Sequence, residues 1–368
     1  MIHMLCKIIS NCIPLQKIYE RVLHMKNYAF YMTELNSLEK REIPIPVPED
    51  DEILLKLEYV GICGSDVHYL ETGRIGDFIV DRDFILGHEC AGTVTDVGAN
   101  VKNLKRGDRV ALEPGCTCGQ CKFCKSGKYN LCPNVKFLAT PPYDGCLMNY
   151  MAFPANMAFK LPDNITTKEG ALIEPLCVGL HAATQGNVRP GNSVTILGAG
   201  CIGLVTLLAC KAFGATQIIV ADVIEKRLNF AKRMGAHAII NASQSDVIEQ
   251  VMALTGGIGT DIVIETAGSD ITLSQTSSIV TRGGRIVLVG MGSDIVPYNF
   301  STLMAKEADI KTVFRYRNLY PTAIRLVAGG NIKISDIVTH EFDFEETPKA
   351  FLEAIRNKRD VVKAVIRF

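Results

Sequence analysis

A short apolar run, Ser193–Leu197, leads directly into Gly198-Ala199-Gly200-Cys201-Ile202-Gly203, and residues 202–213 then have the length and apolar content of a buried helix. A strand, a tight glycine turn and a helix in immediate succession leave the chain few folds to choose from. Gly198 permits the sharp turn, Gly200 lets the backbone approach a pyrophosphate, and Gly203 lets the helix pack closely on the strand. Free N–H groups and the positive dipole end of the helix then form an anion site. Asp222 ends the next strand, about 20 residues on, where a carboxylate accepts from ribose hydroxyls and repels a 2′-phosphate. The pattern predicts a nicotinamide dinucleotide, NAD rather than NADP. Arg227 argues the other way, because a guanidinium pairs well with such a phosphate. Glycines alone mark any tight strand-to-helix turn; the flanking strand and helix carry the reading.

Strand and helix keep alternating after this point. Residues 217–221, 239–240, 261–265 and 285–289 read as strands, and Glu225–Met234 as a helix. That rhythm predicts a doubly wound parallel sheet. The chain before it has another texture. Pro44-Ile45-Pro46-Val47-Pro48 excludes helix and central strand, since proline lacks the N–H. Residues 52–60 alternate apolar and polar positions, and the short runs 92–97 and Arg109–Leu112 lie between Gly, Asp and Pro turns. After about residue 318 the texture is mixed again, ending in a strand at 361–367. The 368 residues suit two domains. The expectation is an α/β protein in which a β-rich domain (27–174 and 318–368) is interrupted by a nucleotide domain (175–317).

The cysteines fall into two kinds. Cys118-x2-Cys121-x2-Cys124-x7-Cys132 places four thiols in a loop-like stretch rich in Gly and Lys. Closed structural zinc sites take four ligands of this type in a tetrahedron. An iron–sulfur cluster uses the same ligands but has no companion cysteine group here. Cys116 is a spare neighbour. Cys177, Cys201 and Cys210 sit alone in apolar segments, as small hydrophobes do. A second constellation is dispersed: Cys63 in Gly-Ile-Cys-Gly-Ser-Asp, and His88-Glu89 in Leu-Gly-His-Glu. Cysteine, histidine and carboxylate are catalytic zinc ligands when a fourth position stays open. Alone, His88 reads as a hydrogen-bonded core histidine; beside Cys63 and Glu89 it reads as a ligand. Asp66 either fixes the His88 tautomer or caps a helix.

Basic and acidic residues balance at 39 each, and there is no Trp, so nothing favours nucleic acid or an anionic membrane as a partner. No run approaches the ~18 apolar residues of a membrane span. Thirteen cysteines without a compact secreted framework suit a reducing, cytoplasmic location. Residues 1–26 carry Lys7, Lys17 and Arg21 but no full targeting pattern, and read as an extension with the body beginning near Met25.

At these residues the chain resembles the zinc-containing medium-chain dehydrogenase/reductase family. Gly87-His88-Glu89-x2-Gly92-x5-Gly98 is similar to its zinc signature. Val60-Gly61-Ile62-Cys63-Gly64-Ser65-Asp66-Val67-His68-Tyr69 is similar to the sorbitol/xylitol dehydrogenase branch. So are Glu71-Thr72-Gly73-Arg74-Ile75-Gly76, Ala139-Thr140-Pro141-Pro142, Ala171-Leu172-Ile173-Glu174-Pro175-Leu176 and Val313-Phe314-Arg315-Tyr316. The resemblance runs from about residue 27 to the end. It implies a GroES-like β-rich catalytic domain joined to a Rossmann coenzyme domain, one catalytic and one structural zinc per subunit, NAD, and a homotetramer. Cys63, His88 and Glu89 would hold the catalytic zinc, with Glu174 as a water-bridged or alternating ligand and Ser65 as a proton relay. Tyr69, Glu174, Arg315 and Tyr316 would face substrate hydroxyls, and Phe137 would line an apolar wall. Ile202, Asp222, Arg227, Val289, Gly290, Met291, Phe314 and Arg315 would contact NAD alongside the three glycines. The activity implied is oxidation of a secondary hydroxyl of a sorbitol- or xylitol-type polyol. Other readings are a threonine or simple-alcohol dehydrogenase of the same family, and a zinc- and nucleotide-binding protein without turnover.

Overall fold

The computed structural model describes residues 26–293 and 295–368, so the expected extension lies outside them save for Lys26. The alternating stretch after the prolines forms a long strand, Glu52–Ile62, paired antiparallel with Glu89–Val97 on one side and Ala364–Arg367 on the other. These belong to a seven-stranded sheet in the order Ala158–Lys160, Arg109–Leu112, Glu89–Val97, Glu52–Ile62, Ala364–Arg367, His340–Asp343, with Tyr150–Pro154 also on Glu52–Ile62. The end of the chain thus returns to its beginning. Its last strand starts at Ala364 rather than 361, because the Val362 N–H donates to Thr339 Oγ1 and not to a neighbouring strand.

A second sheet holds six parallel strands: β1 (Ser193–Leu197), β2 (Gln217–Asp222), β3 (Ala238–Asn241), β4 (Thr260–Glu265), β5 (Val280–Leu288) and β6 (Asp309–Thr312). Their order is β3-β2-β1-β4-β5-β6. Residues 194–197 of β1 are fully buried, as a strand covered on both faces must be. The order reverses between β1 and β4, the place where open parallel sheets take their ligands, and Gly198 and Glu265 lie at the C-terminal ends of these strands.

Three helices position the site: α1 (Gly64–Thr72), α2 (Ile173–Gln185) and α3 (Cys201–Ala212). Helices α2 and α3 touch at Gly179, where a Cβ would stand 2.6 Å from the Val205 carbonyl carbon. One apolar core joins Val194 and Ile196 of β1, Leu176, Cys177 and Leu180 of α2, Ala91 and Ala111 from the other sheet, and Leu161 just beyond its strand Ala158–Lys160. Each such leucine contributes about 1.5–3 kcal/mol by leaving water. Helix α2 is therefore clamped by both sheets, and the expected division at 174/175 falls inside it. No helix among the described residues is long and apolar enough to cross a membrane.

Candidate active site

Helix α1 begins at Cys63, its N-cap, and the Cys63 N–H donates to Asp66 Oδ2 at 3.1 Å. Asp66 Oδ1 accepts the Gly87 N–H at 3.0 Å and lies 3.3 Å from His88 Nδ1. The two readings of Asp66 hold together: it caps the helix with one oxygen and orients His88 with the other. Burial opposes its charge, but His88 and the two backbone N–H groups hold its carboxyl below the ordinary value. With Nδ1 engaged, His88 is left with Nε2 for a ligand bond.

The ligand atoms of Cys63, His88 and Glu89 all lie within 4.8 Å of one another. Three donors of these types, with no fourth side chain among them, fit a zinc site with an open position. Gly61 makes room for the carboxylate, since a Cβ there would fall 2.0 Å from Glu89 Oε2. Both Glu89 oxygens also accept from Lys363 Nζ, at 2.7 and 2.8 Å, and that ammonium donates to Ile62 O at 3.0 Å. Sequence reasoning missed Lys363. Its signal was a lone cation within the apolar run Val361-Val362-Lys363-Ala364-Val365-Ile366, because a buried charge requires a partner.

Cys118, Cys121, Cys124 and Cys132 form the other cluster. Their sulfurs are 3.5 Å apart for Cys121–Cys124 and Cys118–Cys132, and 4.0 Å for Cys118–Cys124. Thiolates ~2.3 Å from a tetrahedral zinc stand about 3.8 Å from each other, so the set fits. The Gln120 and Cys121 backbone N–H groups pull the Cys118 thiol down to about 6, towards the thiolate that metals bind. Cys116 stays outside in the short strand Gly115–Cys116, its thiol pushed up to about 11 by burial.

Beside the three-ligand set lies a face of buried, unspent polar groups. The Phe137 ring lies 5.7 Å from the His88 ring, tilted by 54°, and the Arg315 guanidinium sits 4.0 Å above the Phe137 ring. Arg315 Nη1 and the Tyr316 hydroxyl are buried without a hydrogen-bond partner. Glu174, in the first turn of α2, is pushed up to about 7 by burial, with His88 opposing and Glu89 adding to the rise. Burial and then Asp66 push Tyr69 up to about 12. Unpaired buried donors and acceptors are costly, and hydroxyls of a ligand would satisfy them. Ser65 is the half-buried second residue of α1, and its hydroxyl makes no hydrogen bond among the described residues.

Glu113, another residue the sequence did not single out, is buried below this face and accepts from the Tyr129 hydroxyl at 2.7 Å. Burial pushes its carboxyl from 4.5 to about 7. A carboxyl raised in the folded state contributes stability that is complete below its unfolded pKa and lost as pH rises through the folded one. Between pH 5 and pH 8 the wild type is therefore expected to lose up to about 3 kcal/mol more than Glu113→Gln. Urea unfolding at both pH values measures this, and parallel curves would refute it.

The C-terminal end of β1 has the predicted turn. Gly198 adopts φ 103°, and a Cβ at Gly203 would lie 1.9 Å from Gly198 O. Gly200 is the N-cap of α3, and the nearest atom to a Cβ there is Arg227 Nη1 at 3.9 Å, so the backbone is open to a ligand. Asp222 accepts from the Ala199 and Ile224 N–H groups at 2.6 and 2.9 Å, fastening the turn to β2. Arg227 donates to Lys358 O, and its Nε is buried without a partner. Ile202 is half-buried in the first turn of α3, and Phe314 and Met291 are exposed. The Val289 and Gly290 N–H groups donate to Glu265 O at 2.9 and 3.1 Å. Glu265 was also missed: its Oε1 gathers the Ala267 and Gly268 N–H groups and the Thr272 hydroxyl, each at 2.8 Å, and its Oε2 has no partner.

Comparison with known proteins follows the same lines. Residues 49–163 match the model of the alcohol dehydrogenase GroES-like domain, and residues 201–329 that of zinc-binding dehydrogenases. The chain is 48% identical over 348 residues to an uncharacterized zinc-type alcohol dehydrogenase-like protein of Escherichia coli (strain K12), covering 93% of this chain and 99% of that protein. It is 43% identical over 339 residues to the sorbitol dehydrogenase of Bacillus subtilis (strain 168), covering 92% and 96%. A crystal structure of an Escherichia coli oxidoreductase/dehydrogenase of unknown specificity superposes with a TM-score of 0.90 at 47% identity, covering 93% of this chain and 99% of that one.

Proposed function

Because the chain belongs to the zinc-containing medium-chain dehydrogenase/reductase family, in its sorbitol dehydrogenase branch, we propose that it oxidises a secondary hydroxyl of a sorbitol- or xylitol-type polyol to the ketose with reduction of NAD+. The observation that carries the substrate class is the pair of buried, partnerless groups, Arg315 Nη1 and the Tyr316 hydroxyl, beside Cys63, His88 and Glu89. A site with such groups penalises a substrate that lacks extra hydroxyls far more than one short of a methylene.

In this reading Cys63, His88 and Glu89 hold the catalytic zinc and the four cysteines a structural one. Zinc held there supplies Lewis acidity to the reacting hydroxyl, lowering its pKa. Asp66 keeps the imidazole oriented, and Lys363 restrains the Glu89 carboxylate. Ser65 would receive the hydroxyl proton and pass it towards solvent, and NAD+ held at the glycine turn would supply the hydride-accepting chemistry. Glu174 and Tyr69 join Arg315 and Tyr316 in binding the remaining hydroxyls, and Phe137 closes the apolar side. The glycine turn seats the pyrophosphate, Asp222 takes the adenosine ribose, and Ile202, Arg227, Val289, Gly290, Met291, Phe314 and Arg315 line the dinucleotide.

The reading also includes the domain division given above, a cytoplasmic location and a homotetramer. Among the described residues strand β6 has one neighbour and four exposed residues, with exposed Phe300 and Met304 in the helix that precedes it, which favours burial against another copy. Light scattering checks the assembly. The deciding experiment follows NADH formation with sorbitol, xylitol, ethanol and threonine, with NAD+ or NADP+, before and after chelation. Chelator-sensitive polyol turnover with NAD+ is expected. Turnover confined to ethanol or threonine overturns the substrate class, and a preference for NADP+ overturns the role given to Asp222.

A further inference from the structure

The four-cysteine lobe reaches further than its own sulfurs. Between Cys124 and Cys132 the chain makes a turn at Gly127 and a short 3-10 helix, Tyr129–Leu131. Three residues of this stretch grip the segment that follows β6, some 190 positions away. Asn130 Nδ2 donates to Phe314 O at 2.9 Å, and Asn130 Oδ1 accepts from Arg317 Nη1 at 3.0 Å. The Tyr129 hydroxyl accepts the Asn318 N–H at 2.6 Å, and Gly127 O accepts from Asn318 Nδ2 at 3.0 Å.

The gripped segment needs holding. Arg315 and Asn318 adopt φ values of 55° and 58°, in the left-handed region that residues with a Cβ avoid. Such conformations persist only where surrounding contacts impose them. Here the bonds from Gly127, Tyr129 and Asn130 bracket the two strained residues. Between the brackets lie Arg315 and Tyr316, each with a buried, unpaired polar atom, and Arg315 rests on the Phe137 ring that neighbours His88. The lobe also supplies the floor on which Arg315 rests: Phe137 lies on the strand Lys136–Phe137, paired with Gly115–Cys116.

We propose that the cysteine lobe is a positioning platform for substrate recognition, in which Tyr129 and Asn130 hold the left-handed Phe314–Asn318 turn so that Arg315 and Tyr316 meet the substrate's extra hydroxyls. This rests on the polyol reading for its substrate and on the geometry alone for the holding of the turn. Tyr129 and Asn130 are positioning residues; neither touches the reacting atoms. The lobe therefore governs affinity and selectivity more than the chemical step.

Asn130→Asp isolates the idea, because aspartate still accepts from Arg317 but cannot donate to Phe314 O. Tyr129→Phe is the second variant, removing the acceptor for the Asn318 N–H together with the donor to Glu113. In both, zinc content equal to wild type shows that the lobe is intact. Hydrogen exchange of residues 313–319 is expected to quicken, and KM for the polyol to rise roughly tenfold. Turnover of a simple secondary alcohol at saturation should change less than threefold. Unchanged exchange in the turn, or equal losses on polyol and simple alcohol, overturns the proposal. If the wild type oxidises no polyol, the functional reading falls instead, and the exchange measurement by itself decides whether the lobe holds the turn.

Discussion

The Cys63→Ser variant is expected to lose more than ~10²-fold in alcohol turnover, beyond the range for removing a mere outer partner of a ligand. A serine hydroxyl stays protonated near neutral pH and is a poor zinc donor, so the three-donor set would drop to His88 and Glu89. The fold should survive, since position 63 is the N-cap of α1 and serine is among the favoured caps. Zinc content, NADH binding and kcat are measured together. Loss of turnover with NADH binding retained is the expected pattern. Full zinc content and turnover within tenfold of wild type would remove Cys63 from the ligand set.

Stability provides the second large effect. Lys363→Met keeps most of the buried stem but leaves the Glu89 carboxylate without its cation, and both residues are nearly inaccessible to water. Breaking one half of a buried pair costs about 3–5 kcal/mol, because the remaining charge is uncompensated. That loss is expected in chelated protein. Zinc supplies positive charge at the same carboxylate, so the loss should shrink in the zinc-replete protein. Urea unfolding of both forms tests this, together with Lys363→Met/Glu89→Gln, in which the stranded charge is removed and most of the stability returns. A loss below about 1 kcal/mol in the chelated single variant would refute the contribution of this pair.

Much of the site was legible because its parts are local. The closest contact of the glycine turn is local, and Gly203 lies against Gly198 as its spacing implied. The four cysteines sit on one short loop, so their spacing constrains which sulfurs can converge. Capping by Asp66 is an interaction over three residues and was readable as such. The two functions of Asp66 looked like rivals only because a linear chain cannot say that Gly87 and His88 come to its second oxygen.

What the sequence determined by itself is the alternation of strand and helix, the glycine turn, the thiol cluster and the identity of the candidate donors. Each follows from backbone sterics or ligand chemistry acting over a few residues. Only the tertiary structure decided that Lys363 meets Glu89 across 274 positions, and that Asn318 meets Tyr129 across 189. It alone placed Glu113 in a water-poor pocket and clamped α2 between both sheets. The physical reason is that burial and pairing belong to places in space. A lysine, a glutamate or an asparagine carries no mark of its partner until the sheets have packed, and the need to satisfy each buried polar group then selects the contact.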